Sequence, residues 1–203
     1  MICLSATTAK NAPSCGNRLL AVLGSPRPAG HSAALLDAFL SAFPAEGITR
    51  FSCYERRPLP CDDCRYCAKR EGCSKRDLDD FYAALEEADR IVIATPVYHL
   101  SFPAPLKALI DRLQRYWSAR FLLGKRPPIA RKKELVLLTV SGSSNKEGGP
   151  FLEKQLAPPL TVIHASLTAS LHVTGADAPA FSLEPYSDAA RRLGAQFAAQ
   201  PVE

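Results

Sequence analysis

The stretch that most constrains the fold is residues 19–36, where an apolar run, a turn rich in Gly, Ser and Pro, and a helical pattern follow one another. The run Leu-Leu-Ala-Val-Leu indicates a strand buried on both faces of a parallel sheet. We expect the helix to begin near Ser32, whose hydroxyl suits an N-cap, because large apolar residues recur at helical spacing as far as Phe43. The stretch therefore predicts a strand, a turn and a helix.

The turn between this strand and helix has the residue types that hold a phosphate. Ser25 and Ser32 supply hydroxyls, Arg27 supplies a fixed positive charge, and small residues let backbone amides approach an anion. An ordinary strand-to-helix turn with a solvated arginine is the alternative. The turn lacks the G-x-G-x-x-G dinucleotide motif and the closing Gly-Lys-Ser or Gly-Lys-Thr of a Walker loop.

Length and composition limit the remaining possibilities. A chain of 203 residues with 47% hydrophobic residues can bury a single core without disulfides. No apolar stretch approaches the roughly 20 residues of a membrane span, and the first residues do not resemble a secretion signal. We therefore expect a cytoplasmic protein whose seven cysteines are ligands, redox groups or buried thiols. The net charge of +5 fits an anionic cofactor or partner and does not indicate nucleic acid.

Strand and helix patterns alternate along the rest of the chain, after a loose extension predicted for residues 1–17. The predicted strands are 19–23, 48–54, 90–94, 134–140 and 170–173. The predicted helices begin at Ser32 and cover 77–89, 104–118, 151–165 and 185–199. Such alternation specifies an open parallel sheet with helices on both faces. Ligands bind such sheets at the carboxyl ends of the strands, so we expect the turns 24–32, 95–101 and 141–149 to converge on one crevice.

An insertion at residues 58–76, which we name the cysteine insertion, interrupts this alternation. Cys61, Cys64, Cys67 and Cys73 have the spacing C-x2-C-x2-C-x5-C, which favours an iron–sulfur cluster over zinc, because structural zinc usually takes two separated cysteine pairs. The cations around them form either a solvated rim or a surface that guides an acidic electron-transfer partner. They are Arg65, Lys69, Arg70, Lys75 and Arg76.

Three motifs together resemble the NADPH-dependent FMN reductase group of flavodoxin-like proteins. They are Gly24-Ser-Pro-Arg27 with Gly30-His-Ser32, the four-cysteine stretch, and Thr95-Pro-Val-Tyr98 running into Pro105-Leu-Lys-Ala-Leu-Ile-Asp-Arg112. The cysteines resemble those of the iron-sulfur flavoproteins within that group. The resemblance covers residues 19 to about 145.

The resemblance implies a flavodoxin-like three-layer sandwich with strand order 2-1-3-4-5 and one FMN-binding domain over residues 18–203. It implies that Ser25, Arg27, Ser32 and the backbone of His31, where the family usually has Asn, hold the FMN phosphate. Pro96, Val97, Tyr98 and His99 would line the isoalloxazine ring, and Ser141 with Gly142 would close its other side. Lys107, Asp111 and Arg112 also match the family, but their helical spacing suggests a structural ion pair.

Three functions fit these residues. The first is an oxidoreductase that takes hydride from NAD(P)H onto FMN and passes electrons to a quinone, flavin, metal or small electrophile. The second is an electron carrier in which FMN and a 4Fe-4S cluster serve protein partners, and the third is a zinc-stabilised regulator. Relatives with similar cysteines that bind only flavin imply a further alternative, in which the insertion serves as a lid or a dimer contact. The resemblance also implies a homodimer or homotetramer.

Overall fold

The computed structural model describes residues 18–201, which form a five-stranded sheet between two layers of helices. The strands are β1 (Leu19–Leu23), β2 (Ile48–Ser52), β3 (Arg90–Pro96), β4 (Lys133–Val140) and β5 (Ala165–Val173). Their order is β2-β1-β3-β4-β5 and every pair is parallel. The predicted flavodoxin-like sandwich is therefore confirmed, and the predicted extension at residues 1–17 lies outside the described part of the chain.

Eight α-helices and one 3-10 turn connect the strands in the described range. They are α1 (His31–Leu40), the 3-10 turn Ala45–Gly47, α2 (Cys53–Arg56), α3 (Tyr66–Lys69), α4 (Asp79–Glu87), α5 (Ala104–Asp111), α6 (Gln114–Phe121), α7 (Gly148–Val162) and α8 (Glu184–Ala199). None of these helices combines the length and apolar character needed to cross a lipid bilayer.

The sheet separates two hydrophobic cores because successive strand residues point to opposite faces. In β1, Leu19 and Ala21 pack with α1 and α8, whereas Leu20 and Val22 pack on the face covered by α4 to α7. Both faces of the central strands are buried, which explains their continuous apolar sequences. The close approach of α1 and α8 depends on Gly194, where an added Cβ would lie 2.2 Å from the Phe39 carbonyl oxygen.

Two predicted boundaries near the N-terminal half differ from the structure. Helix α1 begins at His31 and its N-cap is Gly30, which has no capping side chain, so the predicted N-cap role of Ser32 is wrong. Strand β2 ends at Ser52 instead of residue 54, because the Ser52 hydroxyl accepts the Glu55 N–H at 3.4 Å and caps the single turn α2.

The helix predicted over 104–118 is divided at Arg112 and Leu113. There the hydrogen bonds change to a tighter pattern, in which Leu113 N–H donates to the Ile110 carbonyl and Tyr116 N–H donates to the Leu113 carbonyl. Arg112 was predicted to share an ion pair with Lys107 and Asp111. Lys107 does pair with Asp111 at 2.6 Å, but Arg112 instead pairs with Asp77 at 3.1 Å.

Strand β5 and helix α7 also differ from prediction. Strand β5 is nine residues long, because it pairs with β4 along its whole length through an irregularity between Leu135 and Val136. Its alanines and serines have little intrinsic strand preference, so only the pairing reveals the strand. Helix α7 begins at Gly148, three residues before the predicted start at residue 151, because Pro150 lies in the first helical turn, where proline is tolerated.

Candidate functional site

An open cleft of about 910 Å³ lies at the carboxyl ends of the strands, at the point where the strand order reverses between β1 and β3. The three predicted turns meet there. All ten residues predicted to contact FMN line it: Ser25, Arg27, His31, Ser32, Pro96, Val97, Tyr98, His99, Ser141 and Gly142. We name this cleft the sheet-end cleft.

The first turn presents positive charge and free amides to the cleft. Arg27 is exposed, and the first turn of the ten-residue helix α1 contains no acidic residue. The first helical N–H groups have no partner within the helix, so they and the helix dipole favour an anion. The Ser32 side chain is only 4% exposed at this end of the helix. The arrangement suits a phosphate.

Ser25 also shapes the turn itself. Its hydroxyl accepts the Arg27 N–H at 3.2 Å, and Gly30 N–H donates to the Arg27 carbonyl at 3.1 Å. These bonds fold the chain back before α1 begins. The ring of His31 packs on Phe181, with centroids 5.2 Å apart, so this imidazole is supported by the segment between β5 and α8.

The second turn is a tight reversal that exposes an aromatic ring. Tyr98 and Ser101 exchange backbone hydrogen bonds of 3.0 and 2.8 Å, and both central residues, His99 and Leu100, have positive φ values of 50° and 57°. Positive φ is unfavourable for such side chains, so surrounding contacts must hold the turn. The Tyr98 side chain remains 43% exposed in the cleft.

Gln155 of α7 supplies one of those contacts. Its amide nitrogen donates to the Leu100 carbonyl at 3.0 Å, and its amide oxygen accepts the Ser101 hydroxyl at 3.3 Å. The backbone supplies another, because Val97 N–H donates to the Val140 carbonyl at 2.8 Å. The second turn is thus tied to α7 and to the end of β4.

The third turn brings Ser141 and Gly142 beside Asp177, a residue that the sequence did not indicate. An added Cβ on Gly142 would lie 2.0 Å from an Asp177 carboxylate oxygen, and Asp177 N–H donates to the Gly142 carbonyl at 3.1 Å. No motif marks Asp177, which lies in the irregular segment between β5 and α8. The other lining residues missed from the sequence are Ala29, Gly30, Leu100, Val140, Ser143 and Ala176.

The cleft therefore brings together groups that could hold FMN. The positively charged turn before α1 lines the same opening as an exposed tyrosine and a glycine-containing turn. The polar, charged end suits a phosphoryl group, and the partly apolar end suits a flat ring. These parts come from the ends of β1, β3 and β4, which the sheet holds rigidly.

The four cysteines line a different and smaller pocket of about 60 Å³. Cys61 and Cys64 are exposed, whereas Cys67 and Cys73 are partly buried. Ser118 donates to the Cys67 sulfur at 3.3 Å, and the Cys64 sulfur lies 3.1 Å from the Ser74 hydroxyl. Across residues 18–201, no three His, Cys, Asp or Glu side chains are arranged to hold a metal ion. The donor chemistry of four thiols suits a cluster, but their arrangement here does not.

Helix α2 begins with a buried thiol, Cys53, and a tyrosine, Tyr54, that the sequence did not indicate. Burial raises the pKa of Cys53 to about 12, so this thiol is an inert part of the core. Burial, followed by the proximity of Tyr98 and Cys53, raises the pKa of Tyr54. Helix α2 therefore approaches the second turn of the sheet-end cleft on the side that leads into the cysteine insertion.

Known proteins with related sequences include several flavoproteins. An iron-sulfur flavoprotein from Archaeoglobus fulgidus is 32% identical over 111 residues, which cover 53% of this chain and 50% of the relative. An iron-sulfur flavoprotein from Methanocaldococcus jannaschii is 33% identical over 132 residues, or 63% of each protein. An FMN-dependent NADH:quinone oxidoreductase from Jannaschia is 38% identical over 80 residues, covering 39% of this chain and 38% of the relative. The chain thus matches about half to two thirds of the length of the iron-sulfur flavoproteins.

Solved structures support the fold across nearly the whole chain. An NAD(P)H:quinone oxidoreductase from Methanothermobacter marburgensis superposes with a TM-score of 0.69 over 90% of this chain and 99% of that protein, at 20% identity. The sequence also matches the NADPH-dependent FMN reductase family over residues 17–177, which contain all three turns of the cleft and the cysteine insertion. The chain belongs to the NADPH-dependent FMN reductase family.

Proposed function

We propose that the protein is an FMN-dependent NAD(P)H oxidoreductase that passes electrons to a quinone, a flavin, a metal or a small electrophile. The observation that carries this proposal is the convergence of the ten predicted cofactor residues on the sheet-end cleft. Family membership supports FMN as the cofactor and NAD(P)H as the reductant. Bound FMN would supply reversible two-electron chemistry, so the protein needs no nucleophile of its own.

The phosphate of FMN would bind at the first turn. Arg27 would donate charge-assisted hydrogen bonds, and the free amides of the first turn of α1 would donate along the helix axis. Ser25 and Ser32 would add hydroxyl donors from opposite ends of the turn. His31 would contribute through its backbone, since its ring packs on Phe181.

The ring of FMN would lie between the second and third turns. Pro96, Val97, Tyr98 and His99 would line one side, and Ser141 with Gly142 would close the other. Backbone groups of these turns would orient the polar edge of the ring, where negative charge develops on reduction. Tyr98 and His99 then act in binding and in tuning the cofactor, without transferring a proton themselves.

Titration of the purified protein with FMN tests this proposal. We expect quenching of flavin fluorescence with one site per chain, and steady oxidation of NADH or NADPH when a quinone is added. Protein that stays colourless after incubation with FMN would contradict the proposal. FMN binding without any oxidation of either nicotinamide would contradict the enzymatic part alone.

A second candidate is an electron-transfer protein in which the cysteine insertion holds a 4Fe-4S cluster through Cys61, Cys64, Cys67 and Cys73. The observation in its favour is that all four thiols line one pocket, together with the cationic side chains of Lys75, Arg112 and Arg115. Those cations would suit the negative charge of a thiolate-bound cluster. The thiols would have to move closer together than they lie here.

Anaerobic purification separates these alternatives. A cluster adds a broad absorbance shoulder that bleaches on reduction, and iron analysis distinguishes it from zinc, which we regard as the lesser alternative. Reduction only by a reduced ferredoxin, with no NAD(P)H oxidation, would support the carrier. If anaerobically prepared protein contains neither iron nor zinc, both metal hypotheses are wrong.

We further propose that the protein acts in the cytoplasm as a homodimer or homotetramer. The described cysteines are all free thiols, as a reducing compartment favours. Trp117, Phe121 and Leu122 of the α6 region expose 40 to 52% of their surface, which is typical of a subunit contact. Light scattering coupled to size-exclusion chromatography tests the assembly, and a monomer would contradict it.

A further inference from the structure

The Arg112 side chain makes several hydrogen bonds outside the sheet-end cleft. It lies in the break between α5 and α6, is 2% exposed, and carries a charge that burial alone would disfavour. Two of its guanidinium nitrogens reach three separate points of the chain. One donates to the Leu59 carbonyl at 2.9 Å, and the other donates to the Lys75 carbonyl at 3.0 Å.

Leu59 and Lys75 are the second and the next-to-last residues of the cysteine insertion. One guanidinium thus joins the two ends of a segment that contains all four clustered cysteines. Both nitrogens also donate to an Asp77 carboxylate oxygen at 3.1 Å, immediately after the insertion. A planar guanidinium can satisfy these acceptors simultaneously because its donors are fixed in a fork.

Asp77 completes the closure on its other side. Its second carboxylate oxygen accepts the Leu59 N–H at 2.9 Å, so both backbone groups of Leu59 are used. Burial alone would raise the pKa of Asp77, but the Leu59 N–H and the Arg112 guanidinium outweigh it and lower the pKa. The carboxylate is therefore held in its charged form by the same contacts that close the insertion.

The thiols lie next to this closure. Arg112 lines the same pocket as the four cysteines. Burial opposes the charged form of Arg112, but hydrogen bonding to Asp77 and the nearby Tyr82 and Cys73 raise its pKa. Lys75 adds a second tie, because its ammonium donates to the Pro60 carbonyl at 2.7 Å and pairs with Asp62 at 3.0 Å.

We propose that Arg112 and Asp77 form a clamp that positions the cysteine insertion and thereby controls the accessibility of its thiols. Arg112 is a positioning residue here and Asp77 is its anchor. None of the clamp's partners lines the sheet-end cleft, so the proposal goes beyond the flavin chemistry and does not depend on it.

Residue-resolved alkylation of the cysteines tests the clamp. Native protein is treated with iodoacetamide, and the rate at each cysteine is read from peptide masses for wild type, R112M, R112K and D77N. Cys53 is the internal control, because it is fully buried in the core and reacts only if the whole domain opens. R115M is the matched control variant, since Arg115 lines the same pocket but lies over Tyr82 and pairs with Glu86 of α4.

Cys67 accepts a hydrogen bond from Ser118 of α6. We expect Cys67 to react about tenfold faster or more in R112M, because removal of a buried ion-pair partner should strongly destabilise the folded conformation of the insertion. R112K retains the charge without the fork and should fall between wild type and R112M. D77N should increase the alkylation rate of Cys67 by a similar factor, and Cys53 should stay protected from alkylation in every variant. The FMN affinity of each variant, measured in parallel, should match wild type.

Two results would overturn the proposal. The first is a Cys67 rate in R112M and D77N within twofold of wild type while Cys53 stays protected. The second is reaction of Cys53 together with Cys67 in both variants, which would make the pair a support of the whole domain. Failure of the wild-type protein to bind FMN would contradict the proposed function without affecting this test.

Discussion

The sheet-end cleft and the cysteine pocket are built in different ways. The cleft is formed by turns that leave the ends of adjacent parallel strands, so the backbone topology alone brings ten predicted residues together. The cysteine pocket lies between the α6 region and an insertion whose only regular structure is the single turn α3. Its thiols share a pocket but are not arranged as ligands within residues 18–201.

The difference shows what fixes a site in this protein. In the cleft, a residue's position follows from the strand that precedes it, and side-chain contacts such as those of Gln155 only refine the turns. In the insertion, the position of each thiol depends on long-range side-chain contacts, of which the Arg112–Asp77 pair is the most buried. The two regions should therefore respond independently to mutation.

The largest expected effect is on the cleft, from Arg27→Ala. The change would remove the charge-assisted hydrogen bonds that we propose between Arg27 and the phosphate. Such bonds contribute about 1.5–3 kcal/mol, less at an exposed site, so we expect FMN to bind roughly tenfold more weakly or worse. Fluorescence titration measures the affinity. Arg50→Ala is the matched control, because Arg50 is exposed and pairs with Asp37 away from the cleft. Equal affinities in the two variants would show that Arg27 is merely a solvated surface charge.

A pH titration of the only tryptophan should reveal the clamp separately. Trp117 lines the cysteine pocket, so its fluorescence reports on the insertion. The folded-state pKa of Asp77 is lowered, so the stability that its charge contributes is complete above the unfolded pKa near 4 and is lost as the pH falls from there through the lower folded-state pKa. We expect a constant emission spectrum from about pH 8 to 5 and a change below about pH 4.

D77N should show the altered spectrum throughout that pH range. Asp62→Asn is its control, because Asp62 lines the same pocket and its pKa is also lowered, chiefly by a hydrogen bond to Lys75, without any contact to Arg112 among the described residues. A low-pH change that persists in D77N and disappears in Asp62→Asn would assign the transition to Asp62.

A smaller effect on the cleft is expected from Gln155→Leu. The variant loses both hydrogen bonds between Gln155 and the second turn, which contains Tyr98. A loss of about 1 kcal/mol in binding free energy should weaken FMN binding roughly fivefold. Gln196→Leu, at an exposed position of α8, is the control. If both variants bind FMN as wild type does, the positive-φ turn is held without Gln155.

The smallest effect is expected from Lys107→Ala. Lys107 and Asp111 form an exposed pair one helical turn apart, which contributes about 0.3–0.5 kcal/mol. Denaturant unfolding should show that the free energy of unfolding falls by no more than this amount. Neither FMN affinity nor cysteine reactivity should change. A marked loss of FMN affinity would instead give Lys107 a role in the cleft.

The sequence predicted best what local pattern and topology determine. The parallel sheet, the helices and the meeting of three turns follow from buried apolar runs that alternate with helical patterns, whereas the strand order was implied only by the family resemblance. Prediction failed where long-range contacts decide the local structure. Strand β5 extended through pairing with β4, and the helix predicted over 104–118 divided at Arg112, which pairs with Asp77. The N-cap at Gly30 was missed for a local reason, because glycine supplies no capping side chain.

The same limit explains the functional residues that were missed. Asp177 lies in the irregular segment between β5 and α8, where no motif marks it, and the turn formed by His99 and Leu100 has no glycine to mark its positive φ values. Arg112 matched a family motif, but its partner Asp77 is 35 residues away in sequence and no spacing rule connects them.

The position of the cysteine insertion after β2 has a consequence for how proteins of this architecture diversify. Strand β2 lies at one border of the sheet and has a neighbour only on one side, so the chain beyond it is less constrained than the chain that leaves a central strand. A module added at that exit leaves the central strands and their register unchanged. The peripheral strand is therefore followed by a position where a cysteine-rich segment can be gained, exchanged or removed without disturbing the rest of the sheet.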